Sequence, residues 1–144
     1  MNPVGVYRYF GLLVGKVKAV LALMSVTLAP SSHAAVWLGA SSPNAHTWVQ
    51  AGVEQTYGDQ QPYAYIEIGR RGRQVSLREW PAGLNTHVHV RLVHRGARWR
   101  VLILGHRSRF VYVPHATTVT TLETHGDTPV SVVAYIDGRL VSST

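Results

Sequence analysis

Hydrophobic and polar residues alternate with a period of two along most of the chain from Val36 onward. In THVHVRLV, for example, Val88, Val90 and Leu92 fall on one face of a strand and the intervening polar residues on the other. No segment has the 3.6-residue period of an amphipathic helix. The pattern predicts strands at residues 36–40, 47–54, 62–68, 73–79, 86–94, 98–104, 108–113, 117–124, 130–136 and 139–143.

Turn-forming segments such as YGDQQP, HRGA and THGDTP separate these strands. Short strands divided by such turns are typical of two packed antiparallel sheets. The fold class predicted from the pattern is therefore all-β, an antiparallel β-sandwich or lectin-like jelly roll.

The first 35 residues have a different character. Basic residues precede an uncharged apolar core at 19–29, and the small residues SSHAA follow it. This order predicts a helical secretory signal peptide over 1–35, cleaved after Ala34 or Ala35. A membrane anchor is the less favoured interpretation, because the apolar core is shorter than the roughly 20 residues that a membrane-spanning helix needs. The folded domain would then cover 36–144, and the protein would be secreted or periplasmic.

Charge and cysteine content narrow the possible chemistry. Without the predicted signal peptide the chain carries 11 basic residues, all arginine, against 7 acidic ones. Arginine can recognise phosphate and carboxylate groups through its planar fork, although a GC-rich genome produces the same preference. The chain has no cysteine, which excludes disulfides, thiol catalysis and thiolate metal sites.

Four blocks of the sequence carry a further signal through their order and spacing. They are VWLGASSPNAHTWVQAGVE, YAYIEI, WPAGLNTHVHVRL and TTVTTLETHGDTPVSVVAYIDG. Together they resemble the glutamic peptidases, or eqolisins, over nearly the whole predicted domain. The resemblance implies a sandwich of two curved antiparallel sheets, in a distant relative that lacks the family's first strands once the signal peptide is removed.

The resemblance also implies a catalytic pair, Gln50 and Glu123. In an acid endopeptidase of this type the glutamate would activate a water molecule as a general base and then protonate the leaving amine. The glutamine amide would donate a hydrogen bond to the oxyanion of the tetrahedral intermediate. The residues expected to bind the polypeptide substrate on the same face are Trp37, Trp48, Tyr65 and Glu67.

The sequence leaves other functions open. The same face, with its tyrosine and tryptophan residues, would suit a non-catalytic module that binds carbohydrate or another envelope polymer. An exported structural or interaction protein is a third possibility. The assignment as an enzyme therefore stays open, and either a polypeptide or a glycan is the expected partner.

A histidine pair and an arginine cluster are weaker signals of function. His87 and His89 share one strand face, a spacing that binds zinc when a third ligand approaches, but exposed histidines are the commoner outcome. The arginines at 91–109 form a basic cluster without a recognised nucleic-acid motif. We therefore predict no metal, no cofactor and no specific nucleic-acid partner.

Overall fold

The computed structural model of this protein consists almost entirely of antiparallel β-strands. It describes the backbone of residues 6–10, 16–23, 33–83, 87–125, 132–136 and 139–143, and the side chains of residues 33–83 and 87–118. Sheet A contains β1 (Val6–Phe10), β3 (His33–Ser41), β4 (Trp48–Thr56), β5 (Tyr63–Arg70), β6 (Arg73–Pro81) and β11 (Thr117–His125). Sheet B contains β2 (Lys16–Leu23), β7 (His87–Arg95), β8 (Arg98–Ile103), β9 (His106–Arg107), β10 (Val111–Tyr112), β12 (Val132–Ile136) and β13 (Arg139–Ser143).

The hydrophobic core lies between the two sheets. Sheet A has the strand order β1-β11-β3-β4-β5-β6, and sheet B has the order β10-β8-β7-β2-β12-β13, with β9 paired to β8. Both sheets contribute fully buried side chains to one cluster, among them Leu38, Val49, Ile66, Leu92, Val101 and Ile103. This arrangement confirms the predicted β-sandwich fold.

The alternation along β7 shows why these residues form a two-faced strand. Val88, Val90 and Leu92 are fully buried, whereas the histidines and the arginine between them are exposed. Successive side chains of a strand point to opposite faces, so one face enters the core and the other meets solvent. The same alternation on β3, β4 and β5 leaves an outer face of sheet A, on which the candidate site lies.

The structure differs from the sequence prediction near the N-terminus. Within the segment predicted as a helical signal peptide, Val6–Phe10 forms β1 at the edge of sheet A, and Lys16–Leu23 forms β2 between β7 and β12. Residues 17, 19 and 21 pair with the buried Leu92, Val90 and Val88. A run of uncharged apolar residues is suited both to a signal peptide and to an internal strand, which is why the composition alone favoured the former.

The predicted cleavage positions fall inside β3. Ala34 and Ala35 are both fully buried, and β3 pairs with β4 on one side and β11 on the other. Export and processing of the first 35 residues stay predictions. No helix in the described part of the chain has the length and apolar character needed to cross a membrane.

Candidate active site

Two neighbouring strands of sheet A bring a carboxylate, an amide and an indole together on the outer face of the sheet. β4 pairs with β5 so that Gln50 lies opposite Glu67 and Trp48 lies opposite Gly69. Residues directly opposite each other in an antiparallel pair have their Cβ atoms about 5 Å apart, within reach of long side chains. The shared faces of Trp48 and Gln50 on β4, and of Tyr65 and Glu67 on β5, are as the alternation predicts.

Two N–H groups converge on one oxygen of the Glu67 carboxylate. The indole Nε1 of Trp48 donates a hydrogen bond to Oε2 over 2.6 Å, and the amide Nε2 of Gln50 donates to the same atom over 3.1 Å. Neither donor is on β5, so the carboxylate is oriented by the strand beside it. The glutamine is therefore part of a side-chain cluster with a glutamate.

The surroundings of Glu67 change its protonation. Burial raises the pKa of the Glu67 carboxyl above its usual range, and the hydrogen bond from Trp48 lowers that pKa in part. Burial has this effect because the charged form loses contact with water. A carboxyl group with a raised pKa can exchange a proton at a higher pH than an exposed glutamate, which suits general acid–base catalysis.

A glycine on β5 makes room for the Trp48 ring. A Cβ atom at Gly69 would overlap atoms of the indole ring itself. Because Gly69 is two residues from Glu67 on the same face, the ring can lie over Gly69 with its N–H at the carboxylate. Glycines stand opposite large side chains at two further places on this face, in the pairs Gly39–Gln50 and Gly52–Trp37.

A cavity of about 350 Å³ opens above this cluster. It extends over four adjacent strands, and its lining combines aromatic rings with amide and carboxylate groups. The lining residues are His33, Ala35 and Trp37 on β3, Gln50 and Glu54 on β4, Tyr65 and Glu67 on β5, and Gln74 and Leu77 on β6. Pockets with a few convergent polar groups and a residue of perturbed pKa are the usual places for ligand binding.

The structure brings Gln50 together with Glu67, whereas Glu123 lies farther away in sheet A. β3 separates β4 from β11, and the backbone of Glu123 pairs with Ala35, which in turn pairs with Glu54. Gln50 is four residues from Glu54 along β4. Strand spacing of about 4.8 Å and a rise of about 3.3 Å per residue separate the backbones of Gln50 and Glu123 by about 16 Å. The side chain of Glu123 lies outside the described residues, and its catalytic role stays a prediction.

The substrate-binding residues predicted from sequence all lie at this site. Trp37, Tyr65 and Glu67 line the cavity, and Trp48 donates its hydrogen bond to Glu67. Their role in binding stays a prediction. The other polar lining residues, His33, Glu54 and Gln74, carry no sequence motif that points to this site. Strand parity could have placed Glu54 on the face of the site, because Glu54 lies four residues from Gln50 on the same strand. The position of Gln74 could not be predicted in this way, because it is set by the irregular pairing of β5 with β6.

The histidine pair at 87 and 89 lies on a different sheet from this cavity. Both residues are exposed on β7 of sheet B. In the regions whose side chains are described, no group of three or more His, Asp or Glu residues is arranged to hold a metal ion. The metal alternative therefore has no third ligand among those residues.

The fold resembles several proteins of known structure. No protein-family model matches the sequence, and no curated protein matches it. Scytalido-glutamic peptidase, solved with a peptide-based transition-state analogue, superimposes with a TM-score of 0.57 and 12% sequence identity, covering 90% of this chain and 79% of the peptidase. At this identity the likeness is one of fold.

Proteins that bind or process carbohydrate have comparable similarity. The β-glucanase of Bacillus licheniformis superimposes with a TM-score of 0.52 and 9% identity over 90% of this chain and 66% of the enzyme. A toad ovary galectin, solved in complex with thio-digalactose, gives a TM-score of 0.51 and 8% identity over 93% of this chain and all of the galectin. The jelly-roll fold is therefore shared with both a peptidase and carbohydrate-active proteins, and the function has to be argued from the site.

Proposed function

We propose that this protein is an exported acid hydrolase of the glutamic-peptidase type, which cleaves peptide bonds with Glu67 as general base and acid and Gln50 as amide donor. The observation that carries the proposal is the hydrogen-bonded cluster of Trp48, Gln50 and Glu67, in which Gln50 and Glu67 line the cavity. It supplies a glutamate–glutamine pair in direct contact.

The proposed reaction consumes one water molecule. The Glu67 carboxylate takes a proton from the water as its oxygen attacks the carbonyl carbon of the scissile bond. The second N–H hydrogen of the Gln50 amide, which is not needed for the bond to Glu67, stabilises the negative charge that develops on the carbonyl oxygen. Glu67 then transfers its proton to the amide nitrogen as the C–N bond breaks, which releases an amine and a carboxylic acid.

This proposal assigns the base to Glu67, where the sequence resemblance implied Glu123. A general base has to lie within hydrogen-bond reach of the group it activates, and the oxyanion donor must be close to the same carbonyl. Glu67 and Gln50 already share a hydrogen bond of 3.1 Å, whereas two strand spacings and four residues separate Gln50 from Glu123. The contact therefore favours Glu67.

A carbohydrate-binding module remains the second candidate. The rings of Trp37 and Tyr65 line the cavity, and aromatic rings beside polar groups are suited to stacking on sugars. In that case Glu67 and Gln50 would hold sugar hydroxyl groups without any bond being cleaved. The two candidates differ in whether a product is released.

The decisive experiment is a cleavage assay of the full chain on a denatured protein substrate between about pH 2 and about pH 7, a range that includes the ordinary carboxyl pKa of about 4.3. We expect Glu67→Gln to reduce the rate by about a hundredfold or more. Gln50→Ala should reduce it by about a hundredfold, as the loss of an oxyanion donor does in other hydrolases. Mass spectrometry of the products would locate the cleaved bonds.

Two further variants make the result interpretable. Glu79→Gln removes an exposed carboxylate from the neighbouring strand β6 and should leave the rate unchanged. Glu123→Gln compares the two assignments of the base. If Glu123→Gln abolishes cleavage while Glu67→Gln is active, the base is Glu123, as the sequence resemblance implies, and our assignment to Glu67 is wrong. If the wild-type protein cleaves nothing but is retained by immobilised glycans, the protein is a carbohydrate-binding module and not a peptidase.

A further inference from the structure

Three arginines cluster at the hairpin that joins β5 to β6. Arg70 ends β5, Arg73 begins β6, and the two residues pair across a two-residue turn formed by Arg71 and Gly72. All three arginine side chains are exposed. In the regions whose side chains are described, none of these guanidinium groups has a hydrogen-bond or ion-pair partner.

The hairpin holds its arginines in a defined backbone conformation. Arg71 has φ = 53° and Gly72 has φ = 70°, so both central residues are left-handed, as a type I′ turn requires. Asparagine, aspartate or glycine is the usual first residue of such a turn, because a larger side chain is strained there. The backbone N–H of Gly72 also donates a hydrogen bond of 2.9 Å to the carbonyl oxygen of His46, which ties the turn to the loop before β4.

The arginine hairpin adjoins the candidate active site. The three arginines line an open depression of about 640 Å³, together with Gln74 and Val75. Gln74 also lines the cavity that contains Glu67. The two spaces therefore share one lining residue, which places the arginine hairpin beside the candidate site.

We propose that the Arg70–Arg73 hairpin is a substrate subsite that binds carboxylate groups, so that the enzyme prefers polypeptide segments with acidic residues on one side of the scissile bond. This inference rests on the proposed function and names its substrate class. Arginine suits the role because its planar fork donates two parallel hydrogen bonds to a carboxylate.

Distance fixes where the acidic residues should lie. Arg71, in the turn, follows Glu67 by four residues, a separation of about 13 Å along the strand direction, whereas Arg70 is at an odd spacing and starts from the opposite face of β5. An extended peptide that lies along β5 covers this distance in about four residues. We therefore expect the acidic side chains about three to four positions from the scissile bond.

The protonation of Glu67 is compatible with this substrate. Glu67 acts as a base only when it is ionised, and burial raises its pKa. Exposed carboxylates on a peptide have lower pKa values, so they already carry charge at the pH at which Glu67 loses its proton. Substrate charge and base activity therefore coincide in the same pH range.

Binding can be measured separately from cleavage. The full chain carrying Glu67→Gln would be titrated with two fluorescein-labelled peptides of equal length, penta-glutamate and penta-glutamine, near pH 6 at low salt. We expect penta-glutamate to bind about tenfold more tightly, since several exposed charge pairs each contribute modestly. Adding Arg71→Gln and Arg73→Gln should remove this preference.

The matched control is the pair Arg91→Gln and Arg98→Gln, which removes the same charge from exposed positions on sheet B. An equal loss in both double variants would show a net-charge effect and overturn the subsite, as would equal binding of the two peptides by the parent protein. Tighter binding of a polyuronate than of penta-glutamate would show that the ligand of this subsite is an acidic glycan and not a peptide.

Cleavage gives the second readout. Peptides with glutamate at the third or fourth position from the scissile bond should have a lower KM than glutamine analogues, with kcat unchanged. Binding of penta-glutamate without cleavage of any peptide would reject the proposed function but retain the carboxylate subsite. Cleavage without a preference for acidic peptides would reject the carboxylate subsite but retain the proposed function.

Discussion

At the scale of single residues, Glu67 is subject to two opposing influences on its pKa. Burial disfavours the ionised carboxylate, while the indole N–H of Trp48 stabilises it through a hydrogen bond of 2.6 Å. Burial has the larger effect. The strength of one hydrogen bond therefore helps to set the pH at which this carboxylate becomes a base.

Replacing Trp48 by phenylalanine tests this balance. Trp48→Phe removes the N–H donor that lowers the pKa of Glu67, so we expect that pKa to rise further. The chain contains four glutamates, and ¹³C-NMR titration of labelled glutamate carboxyls, assigned with Glu67→Gln, would measure the shift directly. Trp80→Phe, which affects a ring stacked on His106 instead, should leave the Glu67 pKa unchanged. An unaltered pKa in Trp48→Phe would contradict the role of this hydrogen bond.

Glu67 should also affect stability in a pH-dependent way. Because its pKa is raised in the folded state, the folded protein keeps a proton that the unfolded chain releases, and the free energy of unfolding falls as pH rises through that interval. Glu67→Gln removes this loss. We expect the variant to gain stability relative to the wild type with increasing pH, and the gain to become constant above the folded-state pKa.

Urea unfolding at a series of pH values would measure this difference, with Glu79→Gln as the control for an exposed carboxylate. A constant difference between Glu67→Gln and the wild type at all pH values would contradict the raised pKa. The prediction concerns stability alone, so it holds whether or not the protein is an enzyme.

At this scale the sequence predicted which residues share a face but not which of them touch. Trp48, Gln50, Tyr65 and Glu67 could all be placed on the outer face of sheet A by strand parity. The contact of Gln50 with Glu67 depends on the register of β4 against β5. A shift of the register by two residues would leave every side chain on the same face but give Gln50 a different partner. Periodicity alone therefore could not predict the contact with Glu67.

At the scale of elements, the pairing of Trp48 with Gly69 couples two strands to the site. Gly69→Ala places a methyl group where the indole lies, so the ring must move and its hydrogen bond to Glu67 should be lost. We expect a decrease in stability of about 1–3 kcal/mol, as is typical of overpacking. The Glu67 pKa should rise as it does in Trp48→Phe.

Gly96→Ala is the control for this variant. It introduces strain at a turn with φ = 57° but meets no atom within 4 Å, so it should reduce stability without changing the Glu67 pKa. Thermal unfolding and the glutamate titration would be run on both variants. If both change the pKa equally, displacement of the indole is not the cause.

Most strands from Val36 onward were predictable because they alternate apolar and polar residues between turn residues. Strand β4, for example, was expected at 47–54 and spans Trp48–Thr56. The prediction failed at 108–113, where only Val111–Tyr112 forms a strand, and it missed the short strand β9 (His106–Arg107). β2 was not predicted. The second half of β2 belongs to the uncharged apolar run that was interpreted as the core of a signal peptide. Only the pairing with β7 and β12 identifies this segment as a strand.

At the scale of the whole molecule, β2 connects the two halves of sheet B. It pairs with β7 on one side and β12 on the other. A chain that begins at residue 24 would lack both β1 and β2, so β7 and β12 would each lose one of their two neighbouring strands. We expect such a chain to unfold without a cooperative transition, because the backbone groups that paired with β2 lose their hydrogen bonds and core side chains become exposed.

Circular dichroism melting curves of the full chain and of the chain starting at residue 24 would test this expectation. A shortened chain that retains a cooperative transition near the melting temperature of the full chain would show that β2 is dispensable. Processing after Ala34 or Ala35 would remove β1 and β2 as well, and N-terminal sequencing of the protein isolated from its cells would determine whether this predicted processing takes place.

Acidic and basic residues are also distributed unequally between the sheets. The described strands of sheet B contain no aspartate or glutamate, whereas four glutamates lie on strands of sheet A. The candidate site and its arginine hairpin both belong to sheet A. Sheet B therefore supplies arginines that can serve as control positions, which separate local recognition at the hairpin from the effect of overall charge.

The glycines opposite Trp37, Gln50 and Trp48 have a consequence for how relatives of this protein can differ. A Cβ atom at Gly69 would meet ring atoms of Trp48, whereas at Gly39 and Gly52 it would meet the partner's Cβ atom and backbone, which every residue type other than glycine supplies. Among related sequences, positions 48 and 69 should therefore covary, with a smaller residue at 48 wherever 69 is larger, while positions 39 and 52 should remain glycine whatever residues lie opposite them. A relative with bulky residues at both members of a pair would need a different spacing between these strands.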